Sequence, residues 1–93
     1  MNSVQHDVAG KKFLILQDGR EAHLVYREIG AHVWDLYHTF VPTDFRGKGI
    51  ASQLAEAALK TARAETKKII PNCSFVQTYL RRHPEYSDLV IME

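Results

Sequence analysis

The residues best equipped for chemistry in this chain are Phe45-Arg46-Gly47-Lys48-Gly49-Ile50-Ala51, set between a strand-like and a helix-like segment. A helix starting here presents unpaired N–H groups and the positive end of its dipole, which together favour a phosphate. Gly47 and Gly49 let the backbone approach a ligand with no Cβ in the way. Arg46 and Lys48 add cationic side chains over the same spot. The plainer alternative is a tight turn shaped by its glycines. Elsewhere, His38 is the side-chain type best suited to take a proton near neutral pH, unless it is only a core or surface histidine bonded to backbone. Cys73 directly precedes a helix start, a position that favours the thiolate, and a Cys–His pair is a recognised nucleophile and base. A lone intracellular cysteine also commonly does no more than fill space in a core.

Two familiar phosphate loops do not fit. A nucleoside-triphosphate loop needs Gly-x-x-x-x-Gly-Lys followed by Ser or Thr, but Lys48 is followed by Gly49 and the first glycine position is Pro42. The dinucleotide fingerprint needs a third glycine where Ser52 stands, after the first strand of a βαβ unit. Metal chemistry is not expected either. His6, His23, His32 and His83 form no ligand grouping, and His32 and His38 stand ~20 Å apart along one strand at a rise of ~3.3 Å per residue. Lys67-Lys68 and Arg81-Arg82 read as solvated pairs, with Arg81 or Arg82 as an alternative contact for an outer phosphate.

The elements that must position these groups are legible in outline. With 93 residues the chain is one domain by length, residues 1–93, close to the lower limit for a self-supporting core. A net charge of +1 gives no support for broad capture of nucleic acid or of an anionic membrane, so any basic site is local. One cysteine excludes an internal disulfide, and neither a bilayer-crossing run nor a signal peptide is evident. A cytoplasmic, reducing setting fits best, with order expected everywhere except in the first few residues.

Phe13 to Leu16 has strand length, and Asp18-Gly19 predicts a tight hairpin into a second strand, His23 to Ile29. The third strand, His32 to Val41, alternates so that His32, Trp34, Leu36, His38 and Phe40 share one face. Pro42 ends it. From Gly49 to about Glu65, Ala51, Leu54, Ala55, Ala58 and Ala62 form a narrow small-residue stripe on a helix. Lys67 to Pro71 returns as a fourth strand, parallel to the third through a right-handed crossover. Ser74 and Gln77 read as a capping box opening a second helix, which Pro84 stops after His83. Tyr86 to Met92 is unassigned. The expected fold is α/β (α+β): an antiparallel three-stranded meander, a parallel β-α-β unit and a C-terminal helix, in the order β-β-β-α-β-α.

Arg46-x-x-Gly49-x-Ala51 resembles the Gln/Arg-x-x-Gly-x-Gly/Ala signature of the GNAT superfamily of N-acetyltransferases. Thr39-Phe40-Val41-Pro42 before it and Ile50-Ala51-Ser52-Gln53-Leu54 after it are similar to that family's acetyl-CoA core. With Asn72-Cys73-Ser74-Phe75 and His83-Pro84-Glu85-Tyr86, the chain looks like the minimal single-domain GNAT-like subgroup over nearly all of Phe13 to Tyr86. The resemblance implies an acetyl-CoA-dependent N-acetyltransferase with no metal. The pyrophosphate would sit on backbone N–H groups of Arg46, Gly47, Lys48, Gly49, Ile50 and Ala51. The pantetheine would lie along the backbone of Phe40 and Val41, between splayed third and fourth strands. His38 would then line the thioester as the base, with Trp34, Leu36 and Phe40 giving it a partly desolvated setting.

Cys73 would lie close to the coenzyme sulfur, where an acetyl-cysteine intermediate is conceivable, although ordinary GNAT chemistry is direct transfer. Many family members use a Tyr of the last helix as general acid; Tyr79 is kept outside the catalytic set because its spacing with Phe75 and Leu80 suits packing. The tight Asp18-Gly19 turn stands where larger members insert helices that help form the acceptor pocket, so the acceptor site is shallow, open or completed by a partner. The acceptor is an amine, a small molecule or a protein lysine. The rival readings are a non-catalytic coenzyme A or acyl-CoA binding module and a small protein-interaction domain.

Overall fold

The computed structural model describes residues 3–45, 47 and 49–91. The chain runs β1 (Gln5–Asp7), β2 (Lys12–Gln17), β3 (Arg20–Ile29), β4 (Val33–Phe40), a 3-10 turn (Thr43–Phe45), α1 (Ile50–Ala64), β5 (Lys68–Pro71), α2 (Ser74–Arg82) and a 3-10 helix (Pro84–Leu89). The sheet has the order β1-β2-β3-β4-β5, antiparallel from β1 to β4 and parallel between β4 and β5. Asp18 and Gly19 both take positive φ, 53° and 77°, the geometry that matches hairpin twist between β2 and β3.

Alternation decides which side is covered. Phe13, Ile15, Leu24, Tyr26, Trp34, Leu36 and Ile69 leave the sheet on one face and form a single buried cluster with both helices. The small-residue stripe lets α1 lie close, since Ala55, Ala58 and Ala62 are completely buried beside Leu54 and Leu59. Each fully buried leucine of this kind is worth ~2–3 kcal/mol of removed apolar surface. The opposite face carries Lys12, Glu21, His23 and Val25, and both helices among the described residues pack on the core face.

Three expectations need correcting, and one unassigned segment takes on structure. The first few residues are not all disordered: Gln5–Asp7 pairs with β2, because the His6 ring stacks on Phe13 at 4.2 Å and its Nε2 meets the Tyr26 hydroxyl at 2.7 Å. The meander therefore has four strands. The capping box does not form. Cys73 is the extended N-cap of α2 and Ser74 already its first helical residue, so Gln77 N–H donates to the Cys73 carbonyl and its side chain to the Pro71 carbonyl. Finally, the unassigned tail buries Tyr86 and Leu89, and Val90 bridges to Ile69 beyond the edge of β5.

Arg63 ties that tail down. Its guanidinium donates to both carboxylate oxygens of Asp88, at 3.0 and 2.9 Å, and to the Glu85 carbonyl at 2.8 Å. The bond from Arg63 holds the Asp88 carboxyl below its ordinary value, against a smaller opposing desolvation. A lowered carboxylate pKa stabilises the fold above the unfolded-state value and is lost as pH falls through the folded one. Thermal melts should therefore show wild type losing more stability than Asp88→Asn below about pH 4. Parallel curves would mean that the exposed pair contributes nothing.

Candidate functional site

The site begins where two parallel strands part. β4 pairs with β5 from Val33 opposite Lys68 to Leu36 opposite Pro71, and Asn72 N–H closes the last rung on the Leu36 carbonyl at 3.0 Å. Cys73 then turns the chain into α2, while β4 runs on to Phe40. On its other side β4 stays paired to β3 through His38, Thr39 and Phe40. Its β5-side edge is thus left unpaired in the ladder along these residues. An open strand edge presents N–H and C=O groups that an extended amide ligand can complete.

A bulge sets which side chains line this cleft. Val25 pairs with His38 but Tyr26 with Leu36, so Tyr37 is an extra residue with no partner on β3. The alternation flips there. Thr39 returns to the covered face opposite Leu24, and its Oγ1 lies 3.2 Å from the Cys73 Sγ. His38 and Phe40 go to the open face. The expectation that His38 shares a face with Trp34 and Leu36 is overturned: those two are buried in the core while His38 is exposed. His38 keeps only Phe40 as the expected companion, and the neighbour it gains is His23, with ring centroids 6.4 Å apart. Cys73 is buried and bonded to Thr39, so no hydrogen bond joins His38 to Cys73 among the described residues.

Beyond the end of β4, buried Phe45 anchors the 3-10 turn and Arg20 pairs with Asp44 at 2.6 Å. Gly47 and Gly49 take φ of 81° and 72°, and a Cβ built on either would meet nothing within 4 Å. Gly49 is the N-cap of α1 without a side-chain cap, and the first backbone bond into the helix is Gln53 N–H to the Gly49 carbonyl. The amides of Ile50, Ala51 and Ser52 have no partner among the described residues. Ile50 turns its side chain into the core and Ala51 is half-buried. Open space, glycine backbone and uncapped amides fit an anionic phosphate group. The expected cations Arg46 and Lys48 lie outside the described residues.

Sequence reasoning passed over Asp35, the one charged side chain buried among the described residues. It accepts from Asn72 Nδ2 at 2.9 Å and lies 3.3 Å from Arg27 Nε, pinning the end of β5 to β4 where the strands part. Its signal was a carboxylate between Trp34 and Leu36 in an apolar strand. Tyr79 is buried against the core and stacked on His83 at 4.0 Å, and burial pushes its phenol up, so it stays protonated at neutral pH. A cavity of about 720 Å³ opens beside β5, between Pro71, Leu80, Arg81 and Val90, and none of the described residues of the glycine loop lines it. Among the described residues no group of three or more His, Cys, Asp or Glu is placed to hold a metal ion, and no helix is long and apolar enough to cross a membrane.

The profile of the GCN5-related N-acetyltransferase family matches residues 12–89. The chain belongs to that family. Protein NATD1 of Gallus gallus is 37% identical over 83 residues, covering 87% of this chain and 76% of that protein. NATD1 of Homo sapiens shows the same identity, with 74% of its length covered. The NMR solution structure of a GCN5-like protein from Staphylococcus aureus superposes with a TM-score of 0.75 at 28% identity, over 98% of this chain and 90% of that one. As a GCN5-related N-acetyltransferase by fold and family, the chain has acetyltransferase-type function as its frame.

Proposed function

We propose that the chain is a single acetyl-CoA-dependent N-acetyltransferase domain, acting on a small amine or a protein lysine in the cytoplasm. The observation that carries this reading is a helix start with uncapped amides at Ile50 and Ala51 behind Gly47 and Gly49. It follows on β4, whose outer end parts from β5 beside the Thr39–Cys73 contact. The diphosphate binds the helix end, with Arg46 and Lys48 as added cations, and the pantetheine amides pair with the open edge of β4 at Phe40 and Val41.

The thioester then lies near Thr39, flanked by Cys73. The amine lone pair attacks the thioester carbonyl carbon, the C–S bond breaks, and the coenzyme thiolate leaves and takes a proton. His38, exposed on the open sheet face, removes the proton from the attacking nitrogen. Because Cys73 bonds Thr39 and not His38, the arrangement favours direct transfer over a Cys–His relay. The exposure of His38 favours a second reading, a non-catalytic coenzyme A-binding module.

Calorimetry with coenzyme A and a thiol-release screen over small amines and lysine peptides separate these readings. Binding with turnover supports the enzyme, binding alone the module, and no binding rejects both. Under direct transfer, intact mass after acetyl-CoA shows no retained acetyl group and Cys73→Ala keeps turnover within about threefold. One acetyl group that Cys73→Ala loses would replace direct transfer with a covalent route.

A further inference from the structure

We propose that His23, held by Glu21, is a positioning residue that orders His38 and carries the acceptor's proton from it to solvent. The inference rests on the acetyltransferase reading above. It starts from the bulge at Tyr37, which moves His38 and Phe40 to the open face of the sheet. Directly across from Phe40 on β3 stands His23, with its ring centroid 5.5 Å from Phe40 and 6.4 Å from His38. That spacing puts the imidazoles within reach of one bridging water.

His23 is fixed where His38 is not. Its Nδ1 lies 2.8 Å from Glu21 Oε2, and the same oxygen accepts from Lys12 Nζ at 2.8 Å. The bond from Lys12 leads the effects that hold the Glu21 carboxyl below its ordinary value, against opposing desolvation, so Glu21 is ionised and can only accept. In the neutral His23 ring the hydrogen must therefore sit on Nδ1, leaving Nε2 as the acceptor at the far edge of the ring. A carboxylate that fixes the tautomer of an imidazole and stabilises its protonated form is the second partner of many catalytic bases. No hydrogen bond among the described residues orients His38 itself. Among the described residues, the charged groups on this sheet face besides His38 include Lys12 and Glu21 beside His23, Asp7 of β1 opposite Lys12, and the Arg27–Asp35 pair further along β3 and β4.

The proton balance is simple. The attacking nitrogen gives its proton to one nitrogen of His38. The other nitrogen of His38 releases a proton to the bridging water, which protonates His23 Nε2. His23 passes it to bulk solvent, to which its half-buried ring has access, and returns to the Nδ1–H form bonded to Glu21.

The test is thiol release with acetyl-CoA and the acceptor amine returned by the screen, across neutral pH, for His23→Gln and Glu21→Gln. His23→Gln should lower kcat about 10- to 100-fold, with KM for acetyl-CoA and calorimetric coenzyme A affinity within about twofold. Added imidazole should restore part of the loss, and Glu21→Gln should fall between wild type and His23→Gln. A His23→Gln enzyme with wild-type kcat and a superposable pH profile overturns the proposal. So does a loss matched by weaker coenzyme binding and untouched by imidazole, because the role would then be structural. A wild-type protein that binds no coenzyme A removes the acetyltransferase reading itself, a result distinct from the others.

Discussion

Gly49→Glu should lower coenzyme A affinity by at least about 100-fold in calorimetry while the protein still folds. The two effects separate for physical reasons. Gly49 sits at φ 72° as the N-cap of α1, so any side chain there takes a left-handed backbone at a cost of roughly 1–2 kcal/mol. Nothing lies within 4 Å of the new Cβ, so no packing is disturbed. A carboxylate at a helix N-terminus also interacts favourably with the dipole, which offsets part of the strain. For the ligand those same facts are harmful. On the proposed reading, the open space that receives the side chain is the space the diphosphate takes, and the carboxylate competes for the uncapped amides of α1. Each lost charge-assisted hydrogen bond is worth about 1.5–3 kcal/mol, or about 10- to 100-fold in affinity. Gly49→Ala isolates the backbone strain and should weaken binding far less. Unchanged affinity in Gly49→Glu would place the phosphate elsewhere.

Trp34→Ala should remove most of the stability of the fold. Its indole is 2% exposed, stacks on Tyr26 at 4.4 Å and packs against Phe13 and His6. Truncating so large a buried ring costs about 3–5 kcal/mol, against a total of ~5–15 kcal/mol for a typical domain. Trp34→Phe is the informative partner. The indole Nε1 is buried and has no hydrogen-bond partner among the described residues, a condition that costs about 1–3 kcal/mol. Phenylalanine removes that donor while keeping an aromatic ring on Tyr26, so its loss should stay below about 2 kcal/mol. Urea denaturation of both variants measures this. Equal destabilisation by the two would mean that the donor is satisfied in solution.

The local features were legible because their causes are local. Asp18-Gly19 tolerates positive φ at two successive positions, so the hairpin could be read from two residues. The alanine stripe of α1 has its own period, and the glycine loop carries its chemistry in adjacent residues. β1 was hidden for the opposite reason. Gln5-His6-Asp7 has no apolar alternation, and what orders it is a ring stack on Phe13 and a bond to Tyr26, 20 residues away. The C-terminal segment likewise gains order from Arg63 and from the edge of β5.

For the site, the sequence alone showed that a glycine-opened helix start follows β4, that a histidine precedes it and a cysteine opens the next helix, and which family the chain resembles. It did not determine which way His38 points. A period of two carried unbroken along β4 places His38 in the core, and the single extra residue Tyr37 reverses every side chain after it. Nor could it show that Cys73 meets Thr39, 34 residues earlier, or that Glu21 fixes His23 beside His38. Those relations depend on strand register and on where β5 stops pairing. Both are settled by packing between distant segments, and only the assembled sheet decides them.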